Sequence, residues 1–521
     1  MEVWVMNEFE QSTTRRRFLG GAAAAVAIIA APRGVLAQDG GAGGVGAKLA
    51  VDPMRPQFHL LPARNWMNDP NGPIYYKGKY HMFFQYNPLA AVWGDMSWNH
   101  AVSSDMLHWS HLPVALTPTP DSPDAFGVFS GSALAVREGE RERVYAVYTG
   151  TKKSGDDLAT IRDGANNIQE SQCLAYSDDA RLVRWTKLPE PIVARPPEGM
   201  KITGFRDPSA WRQGDWYYMT VGSGVERVGG CVLLYRSKVG GDLKTWEYMH
   251  TLTSGEWNGK KTANPCDDGE MWECPEFFAL DGQHALIYST LGKVFWQSGV
   301  LDEATMKFTA KKTGLLDFDA FYAPKTQLDA EGRRILWGWI PERRDEAAMK
   351  AAGWSGMMSL PRVMSLDADG TLRVKVLPGA SVLREAKLPD QEARAGLLRT
   401  LPKATGEVLC TGKAGKDFSL SISGGEVELM SVSYSAESHS FTADGKVIAL
   451  QRGDAPTLHA FVDGSVMELI LGERIGYTKR FYYTSAAAPD IVVSAHGGPV
   501  KMEAWKIAPI SDNRLTTPAR V

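Results

Sequence analysis

Cysteine is scarce in this chain: five in 521 residues, Cys173, Cys231, Cys266, Cys274 and Cys410. No Cys-x-x-Cys pair occurs and no cysteine–histidine cluster has zinc spacing, which argues against a structural zinc site and a disulfide-stapled fold. The odd count leaves at least one thiol unpaired within the chain, and no disulfide is assigned. A basic excess is also missing. Fifty-seven Lys and Arg face 60 Asp and Glu, a formal net charge of −3, which argues against nucleic acid as the main partner and leaves a neutral partner open. Long apolar runs are absent as well. The best candidate, Gly20 to Ala31, falls short of the roughly 20 residues that cross a bilayer, so no membrane partner is expected for a processed chain. Long helical periodicity is rare between residue 69 and about 365, which excludes a helical bundle there.

What is present begins at the N-terminus. Thr14-Arg15-Arg16-Arg17-Phe18-Leu19 precedes the short apolar run, and the small-residue site Val35-Leu36-Ala37 follows. A charged region, a short apolar region and a small-residue cleavage site make an export signal, and paired arginines before Phe-Leu resemble the bacterial twin-arginine type. Residues 1–37 are therefore expected to be a signal peptide, and the Gly-rich 38–54 a flexible leader, with the remainder periplasmic or extracellular. The length points to two domains, with enough chain to bury a core without metal or disulfide. Sixteen Trp and 17 Tyr are mostly core residues on this reading, with a few left to cover flat apolar faces of a ligand.

One unit recurs between residues 55 and 366. A polar residue opens it; an apolar strand, a tight polar or Gly turn and a second apolar strand follow. The units open at Asp69, Ser130, Asp207, Glu273 and Tyr322, with turns at Lys77-Gly78-Lys79, Glu138-Gly139, Gln213-Gly214-Asp215, Asp281-Gly282 and Ala330-Glu331-Gly332. Five hairpin-centred units suit a radial array of sheets, so an all-β chain with a five-bladed β-propeller is expected; a sandwich would leave the repetition without a reason. Residues 367–390, with Asp-Gly and Pro-Gly turns, read as a linker. Residues 391–511 show short alternating strands and read as a C-terminal β-sandwich, with 512–521 as a tail.

In a propeller, equivalent positions on the innermost strands surround one axis. Asp69 and Asp207 each stand directly before a Pro, and Glu273 two before one. Pro favours an extended predecessor and is tolerated at a strand start. These three carboxylates are therefore expected at equivalent positions, converging at one mouth of the central channel. One acidic residue at a strand start usually just accepts hydrogen bonds; three at matching repeat positions point to chemistry. Paired carboxylates without a Ser-His pair or metal ligands suit glycoside hydrolysis, in which one attacks or activates water while the other protonates the leaving oxygen. Neighbouring carboxylates favour such opposite states, since ionisation of one disfavours ionisation of the other.

The motifs then resemble those of glycoside hydrolase family 32, the invertases, levanases and inulinases. The resemblance rests on Trp66-Met67-Asn68-Asp69-Pro70-Asn71-Gly72, Gly204-Phe205-Arg206-Asp207-Pro208 and Met271-Trp272-Glu273-Cys274-Pro275. Phe84-Gln85-Tyr86-Asn87-Pro88, Phe129-Ser130-Gly131-Ser132-Ala133, Phe321-Tyr322-Ala323-Pro324 and, in the sandwich, Phe461-Val462-Asp463-Gly464-Ser465-Val466-Met467-Glu468 fit as well. The resemblance covers residues 55 to 510. It implies a retaining β-fructosidase acting on sucrose, fructo-oligosaccharides or fructans, with Asp69 as nucleophile, Glu273 as acid/base and Asp207 as transition-state stabiliser. It also implies that Asn68, Gln85, Trp93, Phe129, Ser130 and Arg206 line a terminal-fructose pocket, and it implies neither metal nor cofactor. Fructosyl transfer through the same covalent intermediate is the alternative; a non-catalytic fructan-binding protein is disfavoured because all three acids are present. Trp98-Asn99-His100 departs from the commoner Trp-Gly-His, which raises the question of whether that backbone needs glycine. Asp317-Phe318-Asp319-Ala320 lacks the lysine of plant cell-wall invertases, which lowers the expectation of plant-like sucrose specialisation.

Overall fold

Tight polar turns between apolar runs leave the chain little choice but antiparallel hairpins. In the computed structural model these hairpins assemble into five sheets around an axis. The structure describes residues 45–511 apart from 139–140, 163–166, 242 and 394–395. The expected signal peptide, the first part of the leader, Gly139 of the second turn, and the tail at 512–521 lie outside the described residues.

Each sheet runs from an inner strand outwards. Blade 1 holds Asn65–Tyr76, Lys79–Asn87, Ser97–Ser103 and Trp109–Leu116; blade 2 holds Gly127–Glu138, Arg141–Lys153, Ile168–Ser177 and Thr186–Lys187. Blade 3 holds Ile202–Gln213, Trp216–Val225, Gly229–Lys238 and Glu247–Ser254; blade 4 holds Glu273–Leu280, Gln283–Thr290, Lys293–Asp302 and Lys307–Asp317. Blade 5 holds Tyr322–Leu328, Arg334–Ile340, Arg362–Leu366 and Leu372–Val376. The ring closes where Trp354–Ser355, beyond the second strand of blade 5, pairs in parallel with Asn65 and Trp66 of blade 1. Apolar side chains fill the wedges between blades, as where Phe83 and Trp98 of blade 1 meet Tyr148 and Val144 of blade 2.

Two expectations are corrected here. Residues 45–54 are not a free leader: Val45–Val51 is a helix whose Leu49 is buried, and Asp52 accepts a 2.7 Å hydrogen bond from Trp354 Nε1. A small apolar face on a Gly-rich segment was enough to dock it. The expected linker at 367–390 is also built structure. Leu372–Val376 completes blade 5, and Arg384–Lys387 already belongs to the sandwich, so only Leu377 and the short 3-10 helix Pro378–Leu383 lie between the domains.

The sandwich stacks one sheet ordered Arg384–Lys387, Val500–Ile507, Thr405–Gly412, Thr457–Asp463, Val466–Leu471 and Ile475–Arg480 against a second sheet. The second is ordered Gln391–Ala393, Gly396–Leu401, Ile491–Gly497, Phe418–Gly424, Val427–Ser435, Ser440–Ala443 and Lys446–Ala449. The two enclose Val408, Leu420, Leu458 and Leu469. Its first sheet touches the outer strand of blade 4 at Asp317 and Gly476, so the domains share a seam rather than a tether. Buried charge lies along that seam. His59 bridges Asp463 and Glu468 at 2.8 Å each, and Arg362 bridges Glu468 at 2.6 Å and Asp317 at 2.8 Å. Burial opposes the charge of His59, but the two carboxylates outweigh it and raise its pKa to about 9. Among the described residues no helix is long and apolar enough to cross a membrane. All five cysteines are buried and free of disulfides.

Candidate active site

A flat strand points successive side chains to opposite faces, so it can offer only every second residue to a central channel. The inner strands evade this with bulges. Pairing skips between Met67 and Pro70 in blade 1, between Val128 and Gly131 in blade 2, and between Glu273 and Glu276 in blade 4. It skips likewise between Arg206 and Ser209 in blade 3 and between Tyr322 and Lys325 in blade 5. The skipped pair lies just before Pro70 and Gly131 in blades 1 and 2, and includes Pro208, Pro275 and Pro324 in blades 3, 4 and 5. An unpaired residue bends the strand and re-aims its side chains. Asp207, Cys274 and Ala323 take positive φ values of 63°, 51° and 50° to do so.

The residues at these bulges fall into two sets by their distance from the Pro or Gly. Asp69, Ser130, Asp207, Cys274 and Ala323 stand directly before the Pro or Gly; Asn68, Phe129, Arg206, Glu273 and Tyr322 stand one residue earlier. The expectation that all three acids are equivalent is corrected by the pairing: Asp69 is the second residue of its bulge, Asp207 the first of its own, and Glu273 the last paired residue before one. Cys274 holds the aspartate position in blade 4, which is why Glu273 stands two residues before its Pro instead of one.

Asp69, buried at 3% exposure, accepts hydrogen bonds from Asn68 Nδ2 at 2.9 Å and Ser130 Oγ at 2.6 Å. Asp207 accepts from the backbone N–H of Cys274 at 2.9 Å, while its own N–H donates to Thr149 Oγ1 at 2.9 Å. The Cys274 thiol lies 3.4 Å from Asp207 and 3.7 Å from Asp69, and one side-chain oxygen or sulfur from each of the three sits within 4.8 Å of the others. Burial, followed by the nearby Asp207 and Asp69, pushes that thiol well above its ordinary range. It is therefore a weak donor to the carboxylates rather than a thiolate nucleophile. Asp207 itself is pushed up to about 6, first by burial and then by Glu273 and Asp69, against the lowering by Arg206.

Glu273 is held from both sides. Arg206 donates to Oε1 from Nε at 3.0 Å and Nη2 at 2.9 Å, and the Tyr322 hydroxyl donates to Oε2 at 2.8 Å. Arg206 is itself anchored by Glu170, through Nη1 to Oε1 at 3.0 Å, and Glu170 also accepts from Phe205 N–H at 2.7 Å. Burial works against the guanidinium's charge, but Glu170 and Glu273 more than offset it and drive its pKa further up. Two of these residues escaped the sequence reading of the site. Tyr322 stands two residues before Pro324, as Glu273 does before Pro275, so the same repeat alignment could have found it. Glu170 lies on the third strand of blade 2 with no motif around it, and nothing in the sequence marks it.

All nine residues expected at the site line a single cavity of about 340 Å³: Asn68, Asp69, Gln85, Trp93, Phe129, Ser130, Arg206, Asp207 and Glu273. Gln85 is fixed by a 2.9 Å bond from Nε2 to Val128 O, and Trp93 packs edge-on against Phe129 with ring centres 5.9 Å apart. Beside Glu273 a second chamber of about 90 Å³ opens between Trp66, Trp93, Tyr322 and Trp339, with Asp319 and Arg343 on its wall. The Asn99 question resolves simply. Asn99 lies inside the strand Ser97–Ser103 without a positive φ, and its side chain accepts from His100 N–H at 2.8 Å, so no glycine is required.

A cavity lined by two separately held carboxylates, a third poised near neutrality and a set of aromatic walls is equipped for acid/base and nucleophilic work on a polyhydroxylated substrate. Comparison with known proteins agrees. Residues 59–375 match the profile described as "Glycosyl hydrolases family 32 N-terminal domain". The chain is 36% identical over 343 residues to the sucrose-6-phosphate hydrolase of Escherichia coli, covering 63% of this chain and 66% of that protein. It is 38% identical over 344 residues to the acid β-fructofuranosidase of Vicia faba, covering 60% of this chain and 49% of that one. Both alignments thus span less than two thirds of the relative's length. Among solved structures, a Bombyx mori β-fructofuranosidase variant in complex with sucrose is 28% identical, with a TM-score of 0.74 over 89% of this chain and 97% of that one.

Proposed function

Because the chain belongs to glycoside hydrolase family 32, we propose that it is a retaining β-fructofuranosidase, releasing the terminal fructosyl unit of sucrose or a short fructan. The observation that carries the proposal is that Asp69 and Glu273, from the inner strands of blades 1 and 4, line one cavity, each with its own set of donors. In the first step Asp69, oriented by Asn68 and Ser130, attacks the anomeric carbon. Glu273 gives its proton to the departing oxygen, and the leaving unit passes into the chamber between Trp66 and Trp339. In the second step Glu273 takes a proton from water, which displaces Asp69 and restores both carboxyl groups. Asp207 binds ring hydroxyls whose acidity grows as the sugar gains oxocarbenium character, so its contact strengthens in the transition state. Arg206 and Tyr322 hold Glu273 in place for both proton transfers.

The stereochemistry tests this reading. NMR of the first-formed fructose, recorded before mutarotation, is expected to show the β anomer. An α anomer would remove Asp69 as nucleophile, since inversion needs no covalent step.

Export is part of the proposal, carried by Arg15-Arg16-Arg17-Phe18-Leu19 and the short apolar run behind it. The double substitution Arg15→Lys, Arg16→Lys is expected to retain the protein in the cytoplasm. Unchanged export would eliminate the twin-arginine route.

A further inference from the structure

The chamber beside Glu273 is walled by two segments of the propeller that do not rest on the propeller alone. The first is 317–321. Asp317 accepts from Arg362 Nη1 at 2.8 Å and from the Thr478 hydroxyl and N–H at 2.7 and 2.9 Å, while Ala320 N–H reaches Thr478 O at 2.7 Å. The second is 341–343. The buried Glu342 accepts from Arg344 Nη2 at 2.7 Å, from Arg480 Nη2 at 3.1 Å and from the Tyr482 hydroxyl. The next backbone N–H, of Arg343, donates to Tyr482 Oη at 3.0 Å and to Glu342 Oε1 at 2.9 Å. Arg343 Nη2 then spans to Asp319 Oδ1 at 3.2 Å and ties the two segments together at the chamber wall.

Thr478 and Arg480 lie on the sandwich strand Ile475–Arg480, and Tyr482 follows it. Asp319 and Arg343 are the charged pair that a sugar's adjacent hydroxyls would meet in this chamber. Their positions are therefore set from the second domain. We propose that Arg480 and Tyr482 are positioning residues for the leaving unit, acting through Glu342 and Arg343, so that the sandwich takes part in choosing a neutral, polyhydroxylated leaving group. The inference rests on the fructosidase reading above. It goes further by assigning leaving-group selectivity to side chains that line neither the fructose pocket nor the chamber.

Two substrates separate the ideas. Sucrose places a glucosyl unit in the chamber, whereas methyl β-D-fructofuranoside leaves it nearly empty. Tyr482→Phe removes one of several donors to Glu342, so the fold should persist, with a melting temperature within a few degrees of wild type. The variant is expected to raise KM for sucrose about fivefold, through loss of a charge-linked hydrogen bond, and to weaken product inhibition by glucose in parallel. Its kcat/KM on the methyl fructoside is expected to stay within about twofold of wild type. Arg480→Lys carries the same expectation and serves if Tyr482→Phe does not fold. Equal losses on both substrates, or no loss on either, would overturn the positioning role, because a merely structural contribution is blind to the leaving group. A wild-type enzyme inactive on both would sink the fructosidase reading first and this inference with it.

Discussion

Replacing Asp207 with asparagine separates stability from catalysis at one atom. Asp207 is 3% exposed, and its carboxyl is pushed up to about 6 from an ordinary 3.8, chiefly by burial. A folded-state pKa above the unfolded one means the folded protein holds the proton more tightly. The group therefore costs nothing below about pH 4, and its ionisation penalty grows as pH rises through about 6. A shift of roughly two units at about 1.4 kcal/mol each makes the full penalty about 3 kcal/mol at pH 7.5. The introduced amide cannot ionise, yet its oxygen can still accept the N–H of Cys274. The variant should thus be more stable than wild type by up to about 3 kcal/mol at pH 7.5, a gain of several degrees in Tm, and no more stable at pH 4. Calorimetric melts of both proteins at the two pH values measure the difference directly. Sucrose hydrolysis by the same variant should show kcat falling by orders of magnitude with KM little changed. A pH-independent gain in Tm, or none, would refute the electrostatic account; a rise in KM with kcat intact would make Asp207 a uniform binding group and refute its transition-state role.

Glu273→Ala should lose nearly all sucrose hydrolysis while forming the fructosyl-enzyme more readily from a fructoside with a good leaving group, because the missing proton matters least there; equal losses on both substrates would count against the acid role. His59 has its pKa raised to about 9 between Asp463 and Glu468, so its contribution to domain docking is complete below about pH 6.5 and fades as pH rises through about 9. Wild type should therefore lose about 3 kcal/mol more than His59→Gln between pH 6.5 and 9.5, as read from denaturant titrations, and parallel curves would exclude the effect. Activity should survive exhaustive chelation, since Glu273 can protonate the leaving oxygen by itself; loss of turnover that returns with added metal would require a different mechanism.

Much of the architecture was legible because its causes are local. Turn residues between short apolar runs dictate hairpins wherever they occur, and their recurrence implied a ring of blades before any tertiary contact was known. The three acid motifs carried their own Pro or Gly, the residues that a bulge tolerates, so their convergence could be read from spacing. Residues 45–54 and 372–387 were misjudged for the converse reason. Glycine and turn residues there read as linker, while their order comes from partners far along the chain, such as Trp354 for Asp52 and Glu407 for Arg384.

By itself, then, the sequence determined the repeat, the strand polarity and which carboxylates would meet, since each depends on neighbours a few residues away. Tertiary structure alone decided how those carboxylates are held. The bulges set Asp69, Asp207 and Glu273 at three different places relative to the break in pairing and bring the Cys274 thiol against both aspartates. Glu170 steadies Arg206 from another blade, and Arg480 and Tyr482 reach the chamber wall from another domain. Such contacts join residues tens to hundreds of positions apart, and no local pattern encodes them, because their geometry exists only once the sheets have packed.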